Sequence, residues 1–263
     1  MAIIDAKNHG GSIDENKIFT AFVYEGGIVF NPLTDLKFYA KYSSLFRYPF
    51  LDELAEFSGS AYDQFNAYLK PEKGFNAEAG AAWQYRKILD INANFFFMGL
   101  EDEIGFGTSF HNENLDQTRR LGTNVGLTFT PLEFFSLNAT YSFVNAVFTA
   151  GTDKDKRVPM VPSHKIYGSV TLKLPFGLEF GPDFEYTSAS YGGGDTANTG
   201  DMLESWFLLG ARVRYARQKE GRELAFTVSG KNLLNTSYAS CSYWGTLYPA
   251  DGLSVNVSLQ YRF

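Results

Sequence analysis

The last eleven residues alternate without a break. From residue 253 to 263 the odd positions are Leu253, Val255, Val257, Leu259, Tyr261 and Phe263, and the even ones are Ser254, Asn256, Ser258, Gln260 and Arg262. Successive side chains of an extended strand point to opposite faces, so this strand is apolar on one side and wet on the other. Its length is that of a tilted strand crossing the hydrocarbon of a bilayer, about 9–11 residues. The pattern returns in residues 135–143, where Ser136, Asn138, Thr140 and Ser142 share one face, and again in 121–129, 224–228 and 89–97.

Composition agrees with strands and rejects helices as the spanning element. Aromatic residues make up 17% of the 263, with 25 Phe and 16 Tyr, yet the mean hydropathy of -0.19 is that of a water-soluble protein. A spanning helix needs about 18 or more consecutive apolar residues, and runs such as Phe95-Phe96-Phe97-Met98 stop after a few. A transmembrane barrel reconciles the two facts, because lipid touches one face of each strand and the lumen the other. The net charge of -6 and the lack of a basic stripe exclude nucleic acid as a partner. The single cysteine, Cys241, has no partner for an internal disulfide.

Turn signals between the alternating runs mark eleven strands, near 17–31, 36–46, 74–86, 88–104, 118–130, 134–149, 163–174, 177–190, 202–216, 222–236 and 251–263. Residues 1–16 are polar and unpatterned, and the barrel is expected over 17–263. Tight turns fall at Pro32-Leu33-Thr34-Asp35, Arg86-Lys87, Pro131-Leu132-Glu133, Pro175-Phe176-Gly177 and between Ala216 and Gly221, whereas the intervening connections are long and polar. Short connections at one end and long ones at the other define an up-and-down antiparallel transmembrane β-barrel; a soluble sandwich has no reason to lengthen every second connection. Pro182 interrupts the strand at 177–190 and predicts a bulge or an early end there, since proline cannot donate to a ladder. Leu208 falls on the polar register, and Gly26-Gly27 weakens the first strand. Tyr24, Tyr42, Tyr85, Tyr141, Tyr215, Tyr238 and Tyr261 lie near strand ends, where rings suit a lipid–water boundary, although tyrosine is also a good strand former anywhere.

Three stretches resemble the TonB-dependent receptor family. In the first, a strand ends in Phe46-Arg47-Tyr48-Pro49 and is followed by Glu53-Leu54. The second is Leu69-Lys70-Pro71-Glu72, leading into Glu78-Ala79-Gly80. The third is Asn232-Leu233-Leu234-Asn235-Thr236-Ser237-Tyr238, then Pro249-Ala250-Asp251-Gly252 and the aromatic terminus Tyr261-Arg262-Phe263. Their order and spacing carry the resemblance, each element being weak alone. It implies an outer-membrane receptor that imports a scarce ligand such as a ferric siderophore, haem or cobalamin. Tyr261 and Phe263 are similar to the signal by which the barrel-assembly machinery recognises its clients.

Transporters of this class have about 22 strands and a plugged lumen, so eleven strands represent roughly half of one barrel. Neither the plug nor the TonB-contacting box has a counterpart here, and the amino terminus lacks a basic and an apolar signal region. The reading is therefore a partial receptor, from a truncated or frameshifted gene or a mis-called start. Export would depend on missing N-terminal sequence, and the missing plug and barrel half would be partners beside outer-membrane lipid and a small-molecule ligand. An open half-barrel would strand about ten unpaired polar backbone groups at each edge, at several kcal/mol apiece. The alternative is a self-contained outer-membrane porin or adhesin.

Ligand contacts are expected from loop aromatics, which supply area at little entropic cost: Tyr62, Phe65, Tyr68, Tyr191, Tyr243, Trp244 and Tyr248. The three histidines, His9, His111 and His164, lack companions at metal-ligand spacing, and no loop has the ligand order of a calcium site, so neither metal nor cofactor is expected. Ser163 beside His164 has nothing to mark it as a nucleophile, so catalysis is not expected. Gly192-Gly193-Gly194 precedes no helix and reads as a flexible loop tip rather than a phosphate loop.

Overall fold

A computed structural model of the chain describes residues 2–7, 16–57, 62–66, 68–106, 111–243 and 245–263. Eleven strands form one sheet: β1 (Glu25–Leu33), β2 (Leu36–Arg47), β3 (Glu72–Tyr85), β4 (Leu89–Glu101), β5 (Thr118–Leu132), β6 (Phe135–Phe148), β7 (His164–Leu174), β8 (Leu178–Thr187), β9 (Trp206–Lys219), β10 (Arg222–Lys231) and β11 (Ser254–Arg262). Each pairs antiparallel with its neighbours in sequence, so the sheet is a simple meander. β1 and β11 do not pair with each other and are its two edges.

Register keeps like with like across the whole sheet. Asn124 on β5 stands opposite Asn94 and Ser142, while its neighbour Val125 stands opposite Ala93 and Tyr141. Followed strand by strand, Phe38, Phe75, Phe95, Leu127, Leu137, Val170, Phe184, Leu209, Phe226 and Val257 share one face. That face is open: Phe95, Phe226 and Leu259 are among its exposed side chains. Buried side chains such as Ser43, Thr118, Ala146, Thr187 and Ala225 all belong to the opposite register. Crowding on one face only is what a curved sheet produces, and the polar face is the concave one.

Connections alternate as the turn signals require. Two or three residues join β1 to β2, β3 to β4, β5 to β6, β7 to β8 and β9 to β10. At the other end the chain spans 48–71, 102–117, 149–163, 188–205 and 232–253 between strands. Four of these long loops carry a small hairpin, pairing Ala55–Phe57 with Tyr62–Phe65, Ile104–Phe106 with Asn112–Asn114, Ser190–Tyr191 with Met202–Leu203, and Ala239–Tyr243 with Thr246–Pro249. Pairing slips by one residue between Phe30 and Leu33 and between Phe129 and Leu132. Both slips contain a proline, Pro32 and Pro131, which cannot donate to the ladder.

Several expectations need correction. The first strand, expected at 17–31, is two: Asn16–Ala21 pairs with Ala2–Lys7 in a separate hairpin, and β1 starts at Glu25. The stretch expected to be an unpatterned tail therefore contains strand, because hairpin pairing is set by the backbone and needs no apolar alternation to announce it. The strand at 177–190 neither bulges nor stops at Pro182. Ser169 pairs with Asp183 and Leu172 with Phe180 in one unbroken register, only the rungs between them being absent, while Pro182 still opposes Ala211 on β9. Long ladders on both sides hold the strand straight across the missing donor. The strands placed at 202–216 and 222–236 are shifted or shortened to 206–219 and 222–231.

Two side-chain knots tie long loops to the rim. Arg47, the last residue of β2, donates to Glu53 at 2.9 Å and to Glu72 at 2.5 Å, and its guanidinium lies 4.9 Å from the Phe50 ring centroid. Glu72 also accepts the Ile104 N–H at 2.9 Å, and Leu54 and Leu69 bury each other beside Ile104. The Arg of the first resembling stretch is thus ionically bound to the Glu residues of the first and second. In the third stretch the Asn232 amide donates to the Thr236 and Asp251 carbonyls and its oxygen accepts the Thr236 N–H at 2.8 Å. Asn235 accepts the Leu253 N–H at 3.0 Å. Both asparagines have positive φ, 48° and 50°, a region that asparagine tolerates better than most side chains.

Two measurements check this architecture. Val213, midway along the apolar face of β9, should not tolerate charge: Val213→Arg is expected to destabilise the barrel by about 2–4 kcal/mol in lipid vesicles, whereas Thr140→Arg on the concave face costs little. Asn232→Ala removes three hydrogen bonds made by a buried side chain, so urea unfolding should register a loss of about 1–3 kcal/mol, with faster amide exchange at Thr236.

Candidate ligand site at the loop end

The concave wall is laced by side-chain hydrogen bonds running across strands. Tyr39 on β2 donates to Glu78 on β3 at 2.5 Å, and Asn94 on β4 donates to the same carboxylate oxygen at 2.7 Å. Asn94 in turn accepts from the backbone and side chain of Asn124 on β5, both at 3.0 Å, and Asn124 accepts from Ser142 on β6 at 2.7 Å. Five adjacent strands are joined at one height. Such a belt suits a lumen, where polar groups are met without lipid contact. Glu78 belongs to the second resembling stretch; the other belt residues are marked in the sequence only by lying on the polar register.

Above the wall, the loops 188–205 and 232–253 enclose a cavity of about 850 Å³. Its lining mixes glycine backbone at Gly192–194, carboxylates at Asp201 and Glu204, and apolar groups at Met202 and Leu247. Two contacts hold these loops together. The Gly193 N–H donates to the Ser242 carbonyl at 2.7 Å, and a Cβ on Gly193 would lie 2.3 Å from the Tyr243 ring. The triple glycine is therefore a packing element, not the free loop tip expected from sequence: its missing side chains let the second loop close over it. Asp195 closes its own loop, accepting the Thr199 and Gly200 N–H groups at 2.9 and 3.0 Å. Asn198 reaches the neighbouring loop, accepting the Arg157 N–H at 2.6 Å and donating to its carbonyl at 2.9 Å.

The residues expected to contact ligand divide into two groups. Tyr243 and Tyr248 meet edge to face, with centroids 6.1 Å apart, on the hairpin bordering the cavity. Tyr191 pairs with Met202 and its carbonyl accepts the Met160 N–H at 2.8 Å, so its backbone joins two loops near the same cavity. Tyr62 and Phe65 lie on the strand of the 48–71 loop, away from that cavity, and Tyr68 beside them is 91% exposed. Trp244 lies outside the described residues. Tyr261 and Phe263 stand at the short-turn end on the outer face, with rings 6.2 Å apart.

Tyr238, part of the third resembling stretch, lines the cavity and packs against Trp206 at 4.8 Å. Burial, and then the carboxylates of Glu185 and Asp251, push its phenol above the ordinary value of 10. It therefore stays neutral as a hydrogen-bonding group. Sequence reading missed Tyr238, Ser242 and Leu247, all on the 232–253 loop, because that loop borders a cavity only where the 188–205 loop meets it.

His164 and Ser163, tested as a catalytic pair, face different partners. His164 meets the Tyr141 hydroxyl at 3.0 Å, and Ser163 takes the Arg157 guanidinium. Among the described residues no three His, Cys, Asp or Glu side chains gather as a metal site.

The comparisons with known proteins follow the same lines. The sequence profile described as "TonB dependent receptor-like, beta-barrel" matches residues 5–233. Solved structures of similar fold include the ferric-catecholate import receptor Fiu from E. coli K12, at 18% identity and TM-score 0.72 over 97% of this chain. The ferric citrate transporter FecA is 20% identical with TM-score 0.73 over 95% of the chain, and the copper transporter OprC is 15% identical with TM-score 0.73 over 95%. The chain spans 38%, 39% and 41% of those three proteins. A search of curated protein sequences finds no match. The profile covers most of the chain, and the chain belongs to the TonB-dependent receptor-like β-barrel family of the outer membrane.

Proposed function

We propose that this chain is the carboxy-terminal wall of an active importer, acting with a plug and a further barrel segment to take up a scarce small ligand. The observation that carries the proposal is the open meander. β1 and β11, separated by nine strands of strict alternation, both run from the long-loop end to the short-turn end. Every residue of β1 is exposed, as are all but the first of β11. Lipid offers no partner for the free N–H and C=O groups of these edges. An antiparallel neighbour at each edge must run the other way, so the completing segment needs an odd number of strands. A second copy of this chain would give two parallel seams. A barrel of about 22 strands leaves an odd remainder, and the solved relatives are more than twice as long. The same open edges weigh against a self-contained porin or adhesin.

Ligand chemistry follows the relatives: ferric catecholate, ferric citrate and copper are named for them, and a chelated or complexed metal is the class proposed here. Tyr191, Tyr243 and Tyr248, on the loops that border the 850 Å³ cavity, would meet it there, and Tyr62, Phe65, Tyr68 and Trp244 are proposed as further loop contacts. Tyr261 and Phe263 would serve the barrel-assembly machinery. No catalytic step is assigned.

Uptake of radiolabelled iron chelates by a receptor-null strain tests the reading. The 263-residue chain alone is expected to import nothing, while its fusion to an amino-terminal plug and barrel segment restores energy-dependent uptake; import by the chain alone overturns the proposal. In the fusion, Tyr243→Ala with Tyr248→Ala should weaken chelate binding by about tenfold or more, the scale of aromatic contacts at a binding surface, with unchanged heat stability.

A further inference from the structure

The cavity between the 188–205 and 232–253 loops has a charge that the fold leaves uncompensated. Among the described residues no Lys, Arg or His lines it, whereas Asp201 and Glu204 do, and both are exposed. A third lining carboxylate, Asp195, is already occupied by the Thr199 and Gly200 N–H groups of its own loop. Tyr238 also lines the cavity, and after burial it is the carboxylates of Glu185 and Asp251 that raise its phenol, so both stand nearby. None of Asp201, Glu204, Glu185 and Asp251 has an ion-pair partner among the described residues. Four carboxylates thus stand in or beside one cavity with no protein cation to neutralise them, and a concave site lined by one sign of charge concentrates ligands of the other.

A second feature points to a polar ligand independently of charge. Ser242 lines the cavity and is only 5% exposed. Its carbonyl accepts the Gly193 N–H, but its hydroxyl makes no hydrogen bond among the described residues. Oγ lies 2.3 Å from where a Cβ on Gly192 would stand, so only glycine at 192 leaves room for it. A buried hydroxyl without a partner carries a desolvation cost, which a polar group of a bound ligand would remove. The rest of the lining suits the body of such a ligand: Met202 and Leu247 are apolar, and Tyr238 supplies a ring held by Trp206 at 4.8 Å. At about 850 Å³ the space is that of a small-molecule site.

We propose that this cavity recognises its ligand by a protonated amine. The ammonium, with three donors and no acceptor, pairs with Asp201 and Glu204 and is drawn to the Tyr238 ring, while a further polar group of the ligand meets the Ser242 hydroxyl. Hydrocarbon between the two polar ends lies on Met202 and Leu247. The inference rests on the import reading of the site and narrows its ligand to an amine-bearing chelate. An anionic chelate such as ferric citrate would bring like charge to the four carboxylates. A neutral polyol could use them as acceptors, yet it would leave unanswered the charge that distinguishes this cavity.

Isothermal titration calorimetry on the complete barrel containing this chain, purified in detergent, tests the proposal. The probes are a ferric trihydroxamate with a pendant primary amine, the same chelate N-acetylated, ferric citrate, and spermidine as an amine without metal. The amine chelate is expected to bind about tenfold or more tightly than its acetylated form, the scale of one charge-assisted hydrogen bond, and ferric citrate not to compete with it. Asp201→Asn combined with Glu204→Gln keeps shape and acceptors but removes charge, and should erase that tenfold preference. Ser242→Ala should weaken the amine chelate by about threefold, while Glu133→Gln, in the β5–β6 turn at the other end of the sheet, changes nothing. Equal affinity for the two trihydroxamates, tighter binding of ferric citrate, or indifference to the double variant, as a polyol site would show, overturns the assignment. Spermidine separates this inference from the import reading. Carboxylate-dependent binding of spermidine with no binding of any chelate would leave the amine site standing and remove the chelate; binding of neither amine would remove the amine site.

Discussion

Everything in this chain follows from the requirement that a backbone crossing lipid must satisfy its own hydrogen bonds. Strands meet that requirement only side by side, and only if each has a neighbour on both edges. The sheet obeys it through nine interior strands, with ladders that survive two proline slips near the turns and one proline in mid-strand. β1 and β11, each paired on one side only, are where the sheet leaves it unmet. The same constraint explains the composition: alternation makes each strand half apolar, so a membrane wall can have the mean hydropathy of a soluble protein.

The loops obey a different physics. They stand in water, and what holds them is a small number of dense polar knots at the rim. Arg47 gathers Glu53 and Glu72 from two segments and shields its charge with Phe50. Asn232 makes three hydrogen bonds from a buried, left-handed position. The short stretches that resemble the family are thus parts of loop bases, held by ion pairs around Arg47 and by hydrogen bonds from the buried Asn232. The cavity above depends on such bases, since two loops separated by β9 and β10 can enclose space only if both leave the rim in fixed directions.

Most of the architecture was legible because period-two patterning and turn chemistry are local. Eleven strands, the alternation of short and long connections, and the two faces could all be read from residues a few positions apart. The failures share one cause. The hairpin of Ala2–Lys7 with Asn16–Ala21, the continuation of β8 through Pro182, and the packing of Gly193 against Tyr243 all depend on a partner strand or loop that local sequence does not reveal. The candidate site suffered most. Tyr243 and Tyr248 were identified as loop aromatics, but Tyr238, Ser242 and Leu247 became cavity residues only when distant loops met.

Sequence alone determined which side chains face lipid and which face the lumen, because the pleat of a strand ties that choice to parity and nothing else. It also fixed the end at which long loops gather. Tertiary structure decided what those residues do together: that Asn94, Asn124 and Ser142 form one belt, that Phe75 leans over Gly99, and that β1 and β11 do not pair with each other. Cross-strand register, set by ladders between residues far apart in the chain, is what makes these neighbours, and no single strand contains that information.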